Sequence, residues 1–264
     1  MLATLPGMTS TRGLVAAFWD RHVGAWLAGE DPMLDPLPRW FASYAGAGVG
    51  RVTRDGFPEP YLGDLLGGAA TPRLVILGLH PGEYAPRFQA RDGLFAEEIR
   101  RYGGYSSWAR TEPYLRPPWT ELAGPNRFSR ERLTFTRRWL KDSTATSDDM
   151  LIFEAYPWHV TTATAAMCPP ADIVEEFVWQ PIAELPVQDV FAFGRAWDNV
   201  AKSLDLPLAA ALGAGGRDYG SVVASRAVRV YELLAGQRLI VEWHQGSAGP
   251  PSESEVALLG QALN

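Results

Sequence analysis

The chain has 264 residues, 47% of them hydrophobic, which suffices to bury one large domain, or one domain with an appended segment, and its net charge of −6 argues against a uniformly phosphate-binding surface. Its single cysteine, Cys168, excludes an internal disulfide and a four-cysteine metal site within one chain, and reads as a small buried residue. No apolar run approaches the roughly 18 residues of a membrane span, and the first 13 residues lack the basic start and apolar centre of a signal peptide, so a soluble, cytoplasmic protein with no membrane partner is expected.

Residues 12–29 place Leu14, Phe18, Val23, Trp26 and Leu27 near helical spacing, which predicts a helix with one face inward, ended by Pro32, Pro36 and Pro38. His22 lies within it and reads as structural. Residues 39–72 are rich in Gly and Pro, including Phe-Pro-Glu-Pro-Tyr-Leu-Gly-Asp at 57–64, and read as an ordered loop region. Gly46-Ala-Gly-Val-Gly50 resembles a dinucleotide loop but neither follows a strand nor opens a helix. Residues 1–72 are therefore taken as a helix and loop extension packed on a core of residues 73–264. In that core the apolar runs 74–79, 150–154, 190–193, 228–233 and 239–243 predict strands, and 93–101, 129–141, 171–185 and 195–204 predict helices. A last helix follows Ser252, whose Ser-x-x-Glu sequence to Glu255 is a capping box. Nearly all-apolar strands alternating with helices indicate an α/β fold with a parallel sheet covered on both faces, which binds ligands beyond the carboxyl ends of its strands.

Charge is unevenly distributed. Residues 85–141 carry twelve basic and six acidic residues, so the segment is net +6 and the remainder −12. Arg87 and Arg91 lead it, and Tyr102, Tyr105, Trp108, Tyr114, Trp119 and Phe128 are interleaved. The pattern reads either as a surface that grips phosphates and stacks on bases or as an ordinary solvated arginine-rich face.

Of four histidines, His80, His159 and His244 each stand just past a strand-like run: Val-Ile-Leu-Gly-Leu-His, Ile-Phe-Glu-Ala-Tyr-Pro-Trp-His and Leu-Ile-Val-Glu-Trp-His. In a parallel sheet those ends share one edge. Imidazoles converging there are polar caps on a core, acid/base groups, or a three-histidine zinc site.

Gly78-Leu-His-Pro-Gly82 resembles the first motif of the uracil-DNA glycosylase superfamily, in the Gly-x-Asn-Pro-Gly form of its mismatch-specific and single-strand-selective branches. His244-Gln-Gly-Ser-Ala-Gly-Pro-Pro-Ser252 is similar in part to the second motif, a histidine after the last core strand followed by a Pro/Ser-rich loop, and Phe191-Ala-Phe-Gly194 resembles the family's third strand. The likeness spans roughly residues 73–264. It implies a central, mostly parallel four-stranded sheet flanked by helices, and a monofunctional DNA glycosylase that flips a base from the stack and hydrolyses its N-glycosidic bond. The reaction needs no metal or cofactor and leaves an abasic site. DNA is the implied partner, and the chain is read as a monomer.

Carried over residue by residue, the family's water-positioning Asp or Asn falls on His80. An uncharged ring would orient or deprotonate water, whereas an imidazolium would oppose the sugar cation. Glu83, three residues on, supplies negative charge or caps a turn. Gly82 stands where the strict uracil enzymes carry a Tyr that blocks pyrimidine 5-substituents, so that wall is open, and the glycine also suits a turn dihedral. Phe95 falls on the Phe that stacks on the flipped base, with a core aromatic as the competing reading. Aligning Pro157 with a family proline puts Glu154 where an Asn reads the pyrimidine edge. An ionised glutamate accepts from the N4 amino group of cytosine and refuses the O4 of uracil. His244 would donate to the base O2. Gln245 departs from the family's usual Pro, and no large apolar wedge follows. Tyr84, Tyr156, Trp158 and His159 are read as lining the base site, with Tyr61 and Asp64 as lesser candidates, and Arg87, Arg91 and Ser247 as DNA contacts.

The expected substrate is a 5-substituted cytosine such as 5-hydroxymethylcytosine or its glucosylated form, bases typical of bacteriophage genomes, which suggests antiviral defence. Three rivals remain: repair of uracil or 5-hydroxymethyluracil, a His80/His159/His244 zinc hydrolase, and a noncatalytic nucleic-acid-binding module.

Overall fold

Seven strands form one mixed sheet in the computed structural model, which describes residues 10–30, 32–45, 52–68, 70–161, 167–213, 227–243 and 249–263. The strands are β1 (Tyr61–Leu62), β2 (Leu74–Gly78), β3 (Met150–Glu154), β4 (Asp189–Phe193), β5 (Leu208–Leu212), β6 (Val228–Glu232) and β7 (Arg238–Glu242). Their spatial order is β1-β3-β2-β4-β7-β6-β5. The central four, β3, β2, β4 and β7, are mutually parallel. At the edges β1 runs antiparallel to β3, β6 to β7 and β5 to β6.

The expected four-stranded sheet is thus corrected to seven strands. One of the added pairings has a plain cause. Only residues 233–237 separate β6 from β7, too few for a parallel crossover, and Ala235 (φ 61°) with Gly236 (φ 76°) turns the chain back as a hairpin. β5, Leu-Ala-Ala-Ala-Leu, lacks the β-branched and aromatic residues that mark strands and is held only at an edge.

The helices are α1 (Thr11–Leu27), α2 (Leu37–Ala45), α3 (Pro86–Gln89), α4 (Leu94–Tyr102), α5 (Tyr105–Ala109), α6 (Trp119–Leu122), α7 (Arg127–Leu140), α8 (Ala171–Val174), α9 (Gln180–Ala183), α10 (Arg195–Ser203) and α11 (Glu253–Leu263). A π-helical turn, Glu175–Trp179, joins α8 to α9. α2 lies partly within the stretch expected to be loop, because Pro38 falls in its first turn, where a missing N–H costs nothing. Ser252 and Glu255 cap α11 reciprocally, with N–H···O distances of 3.4 and 2.7 Å.

Alternation along the strands splits the core into two layers. Val75, Leu77, Leu151 and Phe153 enter the larger cluster with residues of α1, α2, α4, α5 and α10, while Leu74, Ile76, Ile152 and Ile240 pack beneath α7 and α11. Each such fully buried aliphatic side chain stabilises the fold by about 1.5–3 kcal/mol. Phe57, Tyr61 and the inner faces of α1 and α2 belong to the larger cluster, so the N-terminal residues share the core of a single domain. No helix of the described residues is long and apolar enough to cross a membrane. Connections from β2 lead to β3 on one side and from β4 towards β7 on the other, so the switch-point crevice lies at the carboxyl ends of β2 and β4.

Candidate active site

β2 ends at Gly78, which is paired in register with Glu154 at the end of β3. The two chains continue side by side: the N–H groups of Ala155, Tyr156 and Val160 donate to the carbonyls of Gly78, Leu79 and Gly82. Loops 79–84 and 155–160 are therefore locked together at the carboxyl edge. From the other side of the crevice, the Trp197 indole on α10 donates to the Gly78 carbonyl at 3.0 Å.

His80 is half-buried in this edge, and the Gly82 N–H donates to its Nδ1 at 3.0 Å. A ring nitrogen that accepts carries no proton, so the neutral imidazole bears its hydrogen on Nε2. Burial, then the Arg132 guanidinium, lowers its pKa from 6.5 to about 4, which keeps it uncharged at neutral pH. His80 presents a fixed donor, and deprotonating a water through Nε2 would require breaking its bond to Gly82. Gly82 has φ +97°, a turn conformation that favours glycine, and open space where a side chain would stand. Glu83 is exposed.

His159 is fully buried, and its Nε2 lies 3.2 Å from the Phe57 carbonyl and 3.6 Å from Glu59 Oε1. Burial lowers its pKa to about 4, against the raising effect of the Phe57 and Gly82 carbonyls, and His80 adds a lowering effect. Tyr84 stands 6.1 Å from the His159 ring, and a Cβ at Gly56 would come within 3.0 Å of both rings. The structure thus brings His80, Tyr84 and His159 together. His244, Gln245 and Ser247 lie outside the described residues. Among the described residues no group of three or more His, Cys, Asp or Glu side chains is placed to hold a metal ion.

Glu59 was not anticipated as a site residue. Its carboxyl accepts from the Tyr114 hydroxyl at 2.6 and 2.8 Å and from Gln89 Nε2 at 2.8 Å, and burial raises its pKa to about 8. Gln89 in turn accepts the Ala85 N–H at 2.6 Å, so this network fixes the end of the loop carrying His80. The sequence signal was a glutamate between two prolines in an aromatic stretch.

Glu154 is 5% exposed and shares the α7-facing side of β3 with Ile152. Its Oε1 lies 3.9 Å from Arg132 Nη2, beyond hydrogen-bond reach, and its Oε2 has no partner among the described residues. Burial raises its pKa to about 7, with Arg132 acting in the opposite direction. Arg132 comes from α7, which Asn126 caps by accepting the Ser129 N–H, and whose inward face is Ser129, Arg132, Phe135 and Thr136. Glu112 completes the group from a left-handed residue (φ 49°). Both its carboxyl oxygens are buried without a partner, and burial followed by Asp148 raises its pKa to about 8. The Arg132 guanidinium lowers the pKa of Glu112, Glu154 and His80 alike, so the four groups lie within electrostatic reach of one another.

Other expectations are corrected. Phe95 is 0% exposed, packed among Phe88, Trp108, Tyr114 and Trp119 with ring centroids 5.1–5.9 Å away, and offers no face to a base. Tyr156 is equally enclosed, edge-on to Tyr44 at 4.7 Å, and Trp158 packs on Trp40 and Phe41. Tyr61 is buried with its hydroxyl 2.7 Å from that of Ser106, and Asp64 accepts the Gly67 N–H. In the basic segment Tyr105, Trp108 and Tyr114 are core residues, leaving Tyr102 and Phe128 exposed, so an extended stacking surface is not built there. Arg91 holds the Trp26 carbonyl at 2.8 Å and lies over that indole, a structural tie to α1, whereas Arg87 is exposed. Cys168 is exposed rather than buried. No protein-family model matches the chain, and no curated protein matches it.

Proposed function

We propose that the protein is a monofunctional DNA glycosylase that hydrolyses the N-glycosidic bond of a flipped, 5-substituted cytosine. The observation that carries this reading is the buried Glu154 carboxyl, with an unpartnered Oε2 at the end of β3 and in register with the strand that delivers His80. The resemblance of Gly78-Leu-His-Pro-Gly82 to the superfamily's first motif supplies the reaction class, and four parallel strands at the centre of the sheet are compatible with it. The open space beside Gly82 accommodates a 5-substituent.

In the proposed reaction the bond to the base breaks first, building oxocarbenium character on the sugar. Water attacks C1′ as the base departs, and the proton it loses passes to the leaving base, so the products are an abasic sugar and the neutral base. His80, neutral and held by Gly82, donates from Nε2 to fix that water, and adds no positive charge beside the sugar. Glu154 accepts from the N4 amino group of the base. The DNA backbone is met by exposed cations such as Arg87. A defence role against phage DNA follows from the substrate class.

A second reading has its own observation. Burial raises the Glu154 pKa to about 7, so its protonated form is accessible on mild acidification and would donate to the O4 of 5-hydroxymethyluracil. Acid should therefore favour the uracil type and alkali the cytosine type. The test uses matched oligonucleotides, single- and double-stranded, carrying 5-hydroxymethylcytosine, its glucosylated form, 5-hydroxymethyluracil, uracil or cytosine. Alkali-labile sites at the modified cytosines are expected. None at any base would sink the proposal, and stoichiometric zinc in the purified protein would favour the metal-hydrolase rival.

A further inference from the structure

Arg132, Glu154 and Glu112 arrive from three separate parts of the chain, α7, the end of β3 and the turn before residue 113, and are each 5% exposed or less. In this cluster Nε and Nη1 of Arg132, Oε2 of Glu154 and both carboxyl oxygens of Glu112 are buried without hydrogen-bond partners. An unsatisfied buried polar atom costs about 1–3 kcal/mol, and several concentrated around one guanidinium are not explained by core packing. Two further features show that the chain is shaped for the arrangement. A Cβ at Gly78 would come within 2.2 Å of Glu154 Oε2 and 2.6 Å of Arg132 Nη2, so the strand end must be glycine for these groups to stand over it. Glu112 holds a left-handed conformation rare for a residue with a side chain, a strain typical of functional positions.

We propose that Arg132 and Glu154 form one donor–acceptor frame that reads the 4-amino group and adjacent ring nitrogen of a cytosine-type base, with Arg132 as a specificity-determining residue and Glu112 as its buried counter-group. This rests on the glycosylase reading and names how that site selects its base. A carboxylate accepts from an exocyclic amino group, while a guanidinium N–H donates to the neighbouring unprotonated ring nitrogen. Cytosine offers that pair side by side as N4–H and N3. Uracil inverts it, presenting the O4 acceptor to the carboxylate and the N3–H donor to the guanidinium. The loose 3.9 Å approach of Arg132 to Glu154 leaves both groups with bonding capacity for a base edge. In a closed bidentate pair that capacity would be consumed.

The test compares the full-length protein with R132K and R132Q on matched oligonucleotides containing 5-hydroxymethylcytosine or 5-hydroxymethyluracil, under single-turnover conditions. Lysine keeps the charge and guards against loss of folding, which thermal melts monitor. A merely structural role would slow both substrates alike, so the ratio of the two rates decides. The inference predicts that R132K reduces the cytosine preference at least tenfold and R132Q reduces it further. An unchanged ratio in R132K overturns it. A parallel arm measures binding of free 5-hydroxymethylcytosine and 5-hydroxymethyluracil bases by calorimetry. Preferential binding of the cytosine base that is lost in R132K, in a protein that excises nothing, would uphold the frame while defeating the glycosylase reading. Excision with an Arg132-independent ratio would do the reverse.

Discussion

Two glutamate–arginine pairs in this molecule are built differently. Glu98 and Arg116 make a closed pair: two N–H···O contacts of 2.9 Å, the Trp108 indole donating to the same carboxyl at 3.2 Å, and Arg116 Nε bonded to Thr111. Glu154 and Arg132 stand 3.9 Å apart with unpartnered atoms on both. Burial of charge alone does not mark a site, because a closed pair has no remaining capacity to bind anything, whereas Glu154 and Arg132 keep buried atoms without partners. A cleft of about 500 Å³ opens beside the closed pair, lined by Leu94, Glu97, Glu98, Arg101, Arg116 and Glu121, yet Glu98 and Arg116 there already satisfy one another.

The comparison can be broken from the structural side first. Arg116→Ala removes two charge-assisted hydrogen bonds to Glu98, leaving those from Trp108 and Arg101, and should destabilise the fold by about 1–3 kcal/mol, measured by urea unfolding, while the folded fraction keeps its substrate preference. Glu154→Gln should do the opposite. It replaces a carboxyl that burial penalises with a neutral amide, leaving stability at pH 8 unchanged or higher, but lowers excision of 5-hydroxymethylcytosine about 100-fold, in line with about 1–3 kcal/mol for a base-edge contact.

A third prediction sharpens the comparison through pH. Glu59, Glu112 and Glu154, raised from 4.5 to about 8, 8 and 7, hold protons in the native state that the unfolded chain releases. Their contribution is full below pH 4.5 and is lost as pH rises through 7 to 8. His22, His80 and His159, lowered from 6.5 to about 4, act in the other sense: their contribution is present above 6.5 and lost as pH falls towards 4. The two trends oppose one another between pH 4.5 and 6.5. Above that window the carboxyls act alone, so the melting temperature should fall from pH 6.5 to roughly 8.5, at about 1.4 kcal/mol per pH unit for each proton held. Glu59→Gln should flatten that slope. The smallest effect is expected at Phe95: Phe95→Leu should cost about 1–2 kcal/mol of stability by loosening its aromatic cluster and leave the KM for DNA unaltered.

Much of the central architecture was legible because its strands are continuous apolar runs: residues 74–79, 150–154, 190–193 and 239–243 became β2, β3, β4 and β7 within one or two positions. The edges were not. Tyr61–Leu62 is too short to show a period, Leu208–Leu212 is alanine-rich, and the five residues between β6 and β7 announce a hairpin only if the gap length is weighed. Among the candidate site residues, His80 was singled out because it follows an apolar strand and opens a family-like motif, and Glu154 because Pro157 aligns with a family proline. Phe95 and Tyr156 were misread because an aromatic side chain next to a motif looks the same in sequence whether its faces are open or packed. Arg132 and Glu112 needed the tertiary structure. Nothing local tells a helix arginine that its neighbour will be a strand-end carboxyl brought from residue 154.

The most direct test of the central claim is mass spectrometry of bases released by the full-length protein and by Glu154→Gln from DNA containing 5-hydroxymethylcytosine, glucosylated 5-hydroxymethylcytosine and 5-hydroxymethyluracil. The account predicts that the wild type at pH 8 liberates an intact modified cytosine, and that Glu154→Gln loses this product while gaining relative activity on 5-hydroxymethyluracil. Release of uracil-type bases alone at pH 8, or a modified-cytosine yield indifferent to Glu154, would contradict it.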